Sequence, residues 1–186
     1  MPAPVASINE MPQLWEVVGT DVFEYEHEEK KDKFILWRDR ASGYAFVKHL
    51  QNYEGAWEPN ASHVVASMVQ WLMINPSPTW IISEAGTIYT SEEFMEFAQR
   101  SGVGLLTAPA EAHHIMGPEE GCIGILKNAV RRLLKEEQSL TVDQAFALAV
   151  HGHNNTINST GFSPFQWVGE GFWRSASIER EGTDCL

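Results

Sequence analysis

Apolar residues gather into strand-like runs at the start of the chain and into helix-like ones later. Runs at residues 15–25, 33–38 and 43–50 read as strands, with the charged stretch 26–32 and the segment 39–42 as the turns between them. Joints this short favour antiparallel neighbours. After a linker at 54–59, Val64, Val65, Met68, Trp71 and Leu72 recur every three or four residues. That period predicts an amphipathic helix over 62–74, stopped by Asn75-Pro76-Ser77-Pro78.

Residues 79–82 form a short apolar strand. Thr90 then offers a helix cap, with Glu93 three residues on. Phe94, Phe97 and Ala98 follow at helical spacing, Gly102 closes the helix, and 103–107 returns as a strand. Strand–helix–strand order with short joints implies parallel pairing. A loop spans 108–117. A long helix starts at Pro118, a residue suited to the first turn, and runs through Ile123, Leu126, Val130, Leu133 and Leu134 to about Glu137. Thr141 and Gln144 cap a further helix ending near Asn154, and the tail from Ser163 looks less regular. Trp71, Trp80, Phe94 and Phe97 fall at core-facing positions.

A chain of 186 residues, 44% hydrophobic and 20% charged, fits one domain with a sizeable core. Residues 1–14 read as a loose arm and 171–186 as a tail. No apolar run approaches the roughly 20 residues that span a bilayer. The first residues lack both the basic and the apolar region of a secretory signal, so no membrane partner is expected and the chain is placed inside the cell. Two cysteines, Cys122 and Cys185, make neither a disulfide scaffold nor a zinc site by themselves.

The formal charge of −12 repels nucleic-acid phosphates unless basic groups are locally concentrated. Such a concentration lies on the long helix. At about 100° per residue, Lys127 and Arg131 each fall about 20° from the meridian of Glu120. The three share one face, flanking the apolar Ile123–Val130–Leu134 face. Glu119 and Glu120 both sit in the first turn, where acids complement the helix dipole.

Three acids stand in distinctive settings: Asp21 in GTDVFEY, Glu84 in WIISEAGTIY and Glu120 in MGPEEGCIGILK, with 35 residues (85–119) between the last two. Carboxylates converging from distant segments suit a hard divalent cation, which takes oxygen ligands. With 25 Asp+Glu in the chain, however, spacing alone selects nothing.

The flanking sequence does select. The stretches WEVVGTDVFEY, FILWRDRASGYAFVKHL, TWIISEAGTIYTSEEFMEFAQRSGV, APAEAHHIMGPEEGCIGILKNAVRRLL and HNNTINSTGFSPFQWVGE occur in order over residues 15–170. Together they resemble the catalytic core of integrases from retroviruses and long-terminal-repeat retrotransposons. The resemblance implies a ribonuclease-H-like α/β fold: a mixed five-stranded sheet, three antiparallel strands then parallel ones, flanked by helices. It also implies a metal-dependent polynucleotidyl transferase that trims element DNA ends and joins them to target DNA, working in the nucleus.

By position, Asp21, Glu84 and Glu120 correspond to the family's catalytic and metal-binding acids, with two Mg²⁺ or Mn²⁺ ions as cofactors. Lys127, Arg131, His113 and His114 would contact DNA. Asn154, Asn155 and the turn around Gly161 match a family signature with a structural job. His151-Gly152-His153 is a weak metal pattern. The family's second acid is almost always Asp, and Glu84 is longer by about one C–C bond, roughly 1.5 Å. That substitution and the acidic surface define an alternative, an integrase-like module kept for nucleic-acid or protein binding. Family members are oligomeric and carry an N-terminal His₂Cys₂ zinc domain and a C-terminal basic domain. Neither is visible here, so the expectation is a fragment, a degenerate copy or a polyprotein piece.

Overall fold

The structure, a computed structural model, describes residues 12–50, 58–109, 113–159 and 161–169. The expected arm at 1–14 lies mostly outside these residues, as do most of the linker, Cys185, Thr160 and the whole 171–186 tail.

Five strands form one sheet in the order β3-β2-β1-β4-β5: β1 (Val17–His27), β2 (Lys30–Asp39), β3 (Ala45–Leu50), β4 (Trp80–Glu84) and β5 (Gly104–Ala108). β1–β2 and β2–β3 pair antiparallel, while β1–β4 and β4–β5 pair parallel. This is the expected mixed sheet. Helices α1 (Ala61–Ile74), α2 (Glu92–Arg100), α3 (Gly117–Glu136) and α4 (Val142–Asn155) pack on it.

Strand alternation sorts the side chains into two cores. Val18, Ile35 and Trp37 face α1 and α2, meeting Val64, Met68, Trp71, Phe94 and Ala98. There the Trp37 indole donates to Ser67 Oγ at 2.6 Å, which satisfies its buried N–H. On the opposite face, Phe23, Tyr25, Phe34 and Leu36 meet Leu126, Val130, Ala145 and Phe146 of α3 and α4. Phe146 sits 4.2 Å from the Phe34 ring and edge-on to Tyr25. A smaller cluster, Val17, Ile82, Ala108 and Met116, closes the end of the sheet next to the start of α3.

Several local expectations change. The stretch 26–32 is not one broad turn. β1 and β2 continue to His27 and Lys30, leaving only Glu28 and Glu29 as the loop, both at positive φ (49° and 62°). Its lysines and glutamates read as loop, yet they pair: Lys31 meets Glu24 at 3.1 Å and Glu26 at 3.8 Å. The cap of α2 is Ser91, whose Oγ accepts from Phe94 N, and not Thr90, whose hydroxyl donates back to Gly86 O.

Trp80 is 40% exposed, not a core residue. It lies on the face of β4 that turns toward α3, and its ring covers Gly104, where a Cβ would come within 2.2 Å. The tail after Ser163 forms a helical turn at 164–169. Ser163 and Gln166 cap it reciprocally, Ser163 N to Gln166 Oε1 at 2.8 Å and Gln166 N to Ser163 Oγ at 3.2 Å.

Asn154 has the structural part expected of it. Its buried amide bonds both the N–H and the C=O of Ala45 at 2.8 Å, tying the end of α4 to β3. Among the described residues, no helix is long and apolar enough to cross a membrane.

Candidate active site

The β1–β4 pairing brings two of the acids together. Val17 lies beside Trp80, Val18 beside Ile81 and Gly19 beside Ile82, a constant offset of 63. Carried two residues further, that offset sets Asp21 level with Glu84. Alternation then turns Val17, Gly19 and Asp21 toward α3. Past Gly19 the pairing with β4 ends while β1 continues, so the sheet opens beside Asp21.

Glu120 arrives from the first turn of α3. Asp21 is partly buried, and Glu84 and Glu120 are exposed. Burial first, then the charge of Glu84, push the Asp21 carboxyl from 3.8 up to about 6, against the pull of the Val22 backbone N–H. Glu119 and Glu120 add smaller pushes in the same direction. The charges of Glu84 and Glu120 thus both reach Asp21. Among the described residues, no three His, Cys, Asp or Glu side chains stand close enough to hold one ion as they are placed.

Glu119 sits in the first turn as expected and also makes a buried contact that the dipole role does not require. It is fully buried, and the Arg40 guanidinium grips it with a fork: Nε to Oε1 at 3.0 Å and Nη2 to Oε2 at 2.6 Å. The same Nη2 donates to Ile115 O at 2.7 Å. Glu119 lies directly over Gly19, where a Cβ would sit 1.9 Å from its Oε1. A strand glycine often marks such a close approach, and that was the one sequence signal for this contact.

Tyr89 was missed as well. It is buried, in the loop that follows Glu84, with its hydroxyl 3.4 Å from Thr20 Oγ1. Burial raises its pKa, and the charges of Asp21 and Glu84 add to the effect.

The basic residues lie further along α3. α3 runs along β1, with Glu119 over Gly19, Lys127 Nζ 5.3 Å from the centre of the Phe23 ring, and Arg131 near enough for its charge to act on Tyr25. Arg131 is exposed and donates to Asn128 Oδ1 at 2.8 Å, and Lys127 is half-buried. Of the two loop histidines, His113 opens a 3-10 turn, His113–Met116, directly ahead of α3, and His114 is exposed beside it.

His151 and His153 do not converge. His153 lies in a half-buried contact with Gly43 O at 3.1 Å and Cys122 Sγ at 3.9 Å, while His151 is exposed beside Asn155.

No protein-family model matches the chain, and no curated protein sequence matches it either. Solved structures do. The HTLV-2 integrase catalytic core domain in complex with magnesium, in a trimeric form, superimposes with a TM-score of 0.71 at 22% identity, covering 83% of this chain and 97% of that one. The catalytic core domain of BIV integrase gives 0.67 at 15% identity, covering 87% and 99%. A simian T-cell lymphotropic virus intasome, in complex with the PP2A regulatory subunit B56 gamma, gives 0.75 at 18% identity, covering 85% of this chain and 58% of that one. Their shared architecture, met here from residue patterns and strand pairing, is the one described above: the chain has the ribonuclease-H-like fold of retroviral integrase catalytic cores.

Proposed function

We propose that this chain is the catalytic core of a retrotransposon integrase, a metal-dependent polynucleotidyl transferase acting on DNA ends. The observation that carries the reading is the β1–β4 register that sets Asp21 level with Glu84, with the charges of Glu84 and Glu120 both acting on Asp21. An all-oxygen, all-anionic donor set is the chemistry that Mg²⁺ or Mn²⁺ selects, and burial first, then the charge of Glu84, raise the Asp21 pKa.

Asp21, Glu84 and Glu120 would hold the metal, two Mg²⁺ or Mn²⁺ ions in this reading. Bound there, the ions supply charge neutralisation at a phosphodiester and activation of a water or 3′ hydroxyl. The chain's own residues do the rest. Asp21 is fixed by its strand, and Glu120 is presented by the first turn of α3. Lys127 and Arg131 offer cations to a phosphate backbone running along α3, and His113 and His114 lie just ahead of that helix. A surface of net charge −12 makes those cations the natural DNA track.

Two neighbours of similar fold are an HTLV-2 core with magnesium in trimeric and in dimeric form. A homo-oligomer working on element ends and target DNA in the nucleus is the matching state for this chain, with the zinc-binding and C-terminal DNA-binding domains supplied outside it. The test is Mg²⁺- or Mn²⁺-dependent processing and strand transfer on a labelled oligonucleotide, with Asp21→Asn as the blank. Product that survives Asp21→Asn would sink the reading.

Glu84 favours a second reading, an inactive module kept for nucleic-acid or protein binding. Its side chain is about 1.5 Å longer than an aspartate's, and a misplacement of about 1 Å can cost on the order of 10²-fold in rate. Product from Glu84→Asp but none from the unmodified chain would select it.

A further inference from the structure

We infer that Arg40 is a positioning residue for Glu120, acting through its grip on Glu119; the inference rests on the reading of Asp21, Glu84 and Glu120 as the metal-binding acids. The need arises at the start of α3. Its N-cap, Met116, makes no side-chain cap hydrogen bond. Met116 anchors the helix start among Val17, Ile82 and Ala108, and the next apolar anchors, Cys122, Ile123 and Leu126, come only after Glu120. A first turn without a side-chain cap opens more readily than the turns that follow, and Glu120 sits in that turn.

Arg40 supplies what the turn lacks. Its backbone N–H donates to Val17 O at 3.0 Å, fixing the residue to the strand that carries Asp21. Its guanidinium then holds Ile115 O on one side of the helix start and both Glu119 oxygens on the other. Successive helix residues are about 100° apart, so holding Glu119 inward sets the direction in which Glu120 leaves the helix. Gly19 leaves the space this requires, and with only 11% of the Arg40 side chain exposed, water competes little for the fork. The pair also answers the charge of a fourth carboxylate beside Asp21, so only the three exposed or half-buried acids are left to a metal. The asymmetry between adjacent glutamates follows: one is structural and paired, the other free to ligate.

The experiment compares the unmodified chain with Arg40→Lys and with Arg40→Met/Glu119→Met. The double variant removes both charges together and leaves none buried alone. Two readouts are taken: amide hydrogen exchange resolved by mass spectrometry, and Mn²⁺ titration at the site that Asp21→Asn abolishes. The expected result is a cooperatively folding double variant in which exchange over 115–121 is at least tenfold faster, β1, β2 and α4 are unchanged, and Mn²⁺ affinity falls at least tenfold. Arg40→Lys, which keeps a cation opposite Glu119 but loses the fork, should show the same pattern more weakly; it carries the test where the double variant does not fold.

Unmodified-like exchange together with unmodified-like Mn²⁺ affinity overturns the inference. So does faster exchange with unchanged affinity, because Arg40 then serves only the fold. If Asp21→Asn leaves Mn²⁺ binding untouched, the reading of the acids fails instead. The exchange pattern alone then decides whether Arg40 orders the start of α3.

Discussion

Gly19 and Glu119 share one space: a Cβ on residue 19 would stand 1.9 Å from Glu119 Oε1, with its Cδ only 2.3 Å away. Neither side has room to give, because Glu119 is held by Arg40 from beyond and Gly19 is in the middle of the sheet. Gly19→Ala must therefore expel the carboxylate from the guanidinium fork. Breaking a buried ion pair from one side costs about 3–5 kcal/mol. Urea unfolding of Gly19→Ala should show a loss of that order. Gly124→Ala, on the exposed face of α3 with open space around its Cβ, should instead gain up to about 1 kcal/mol. Equal behaviour of the two variants would mean that Glu119 is not seated where it is described.

The Asp21 carboxyl makes stability fall as pH rises. Its folded pKa is about 6 and its ordinary value 3.8, so between these limits the folded chain holds a proton that the unfolded chain has released. The contribution is absent at low pH, turns unfavourable through that window, and stays at its full cost above it. Asp21→Asn removes the cost at every pH. At about pH 7.5 the variant should be more stable by on the order of 1–3 kcal/mol, after allowance for solvent screening. That is a rise of a few degrees in Tm, vanishing near pH 3. Thermal melts at the two pH values without divalent metal check it, and a variant less stable at pH 7.5 would contradict it.

The mixed sheet, and with it the levelling of Asp21 with Glu84, was legible because it rests on local signals. Short joints give antiparallel strands, a helix between strands gives parallel pairing, and each acid lies in a characteristic segment. Arg40–Glu119 was not legible, since its members are 79 residues apart and each looks ordinary in place. Only Gly19, an interruption in a β-rich run, hinted at a close approach. Charge misled at the first hairpin, where alternating Lys and Glu pair across strands. Trp80 was misassigned because an aromatic residue in a strand says nothing about how far the covering helix reaches. The helical turn at 164–169 could have been read from Ser163-Pro164-Phe165-Gln166, a reciprocal cap with proline at the first position.

Lys127 combines a packing contact with a free charge, and its two roles separate experimentally. Its Nζ lies over the Phe23 ring, an interaction of about 0.5–1 kcal/mol at a partly exposed site. Lys127→Ala should cost no more than that in stability. If Lys127 and Arg131 each neutralise a phosphate, the slope of log K for duplex DNA against log salt should fall by about 1 per residue removed, roughly 2 for the double alanine variant. Fluorescence anisotropy over a salt series measures this. An unchanged slope would move the DNA track off this helix.

The β1–β2 hairpin can be improved by the residues its turn demands. Both loop residues, Glu28 and Glu29, stand at positive φ, the conformation of a type I′ turn. Side chains other than Asn and Gly are strained there. The loop carboxylates give little in return: Glu28 pairs with His27 at 3.8 Å, with Glu28 85% exposed. Glu28→Asn/Glu29→Gly should therefore stabilise the chain by about 1 kcal/mol, with the His27–Lys30 pairing intact. Urea unfolding measures the gain, and cross-strand amide contacts between His27 and Lys30 in NMR spectra check the register. A stability gain accompanied by a shifted register would show that the turn, not the Phe23–Phe34 core pair, sets the alignment of the two strands that carry Asp21 and Arg40 to their places.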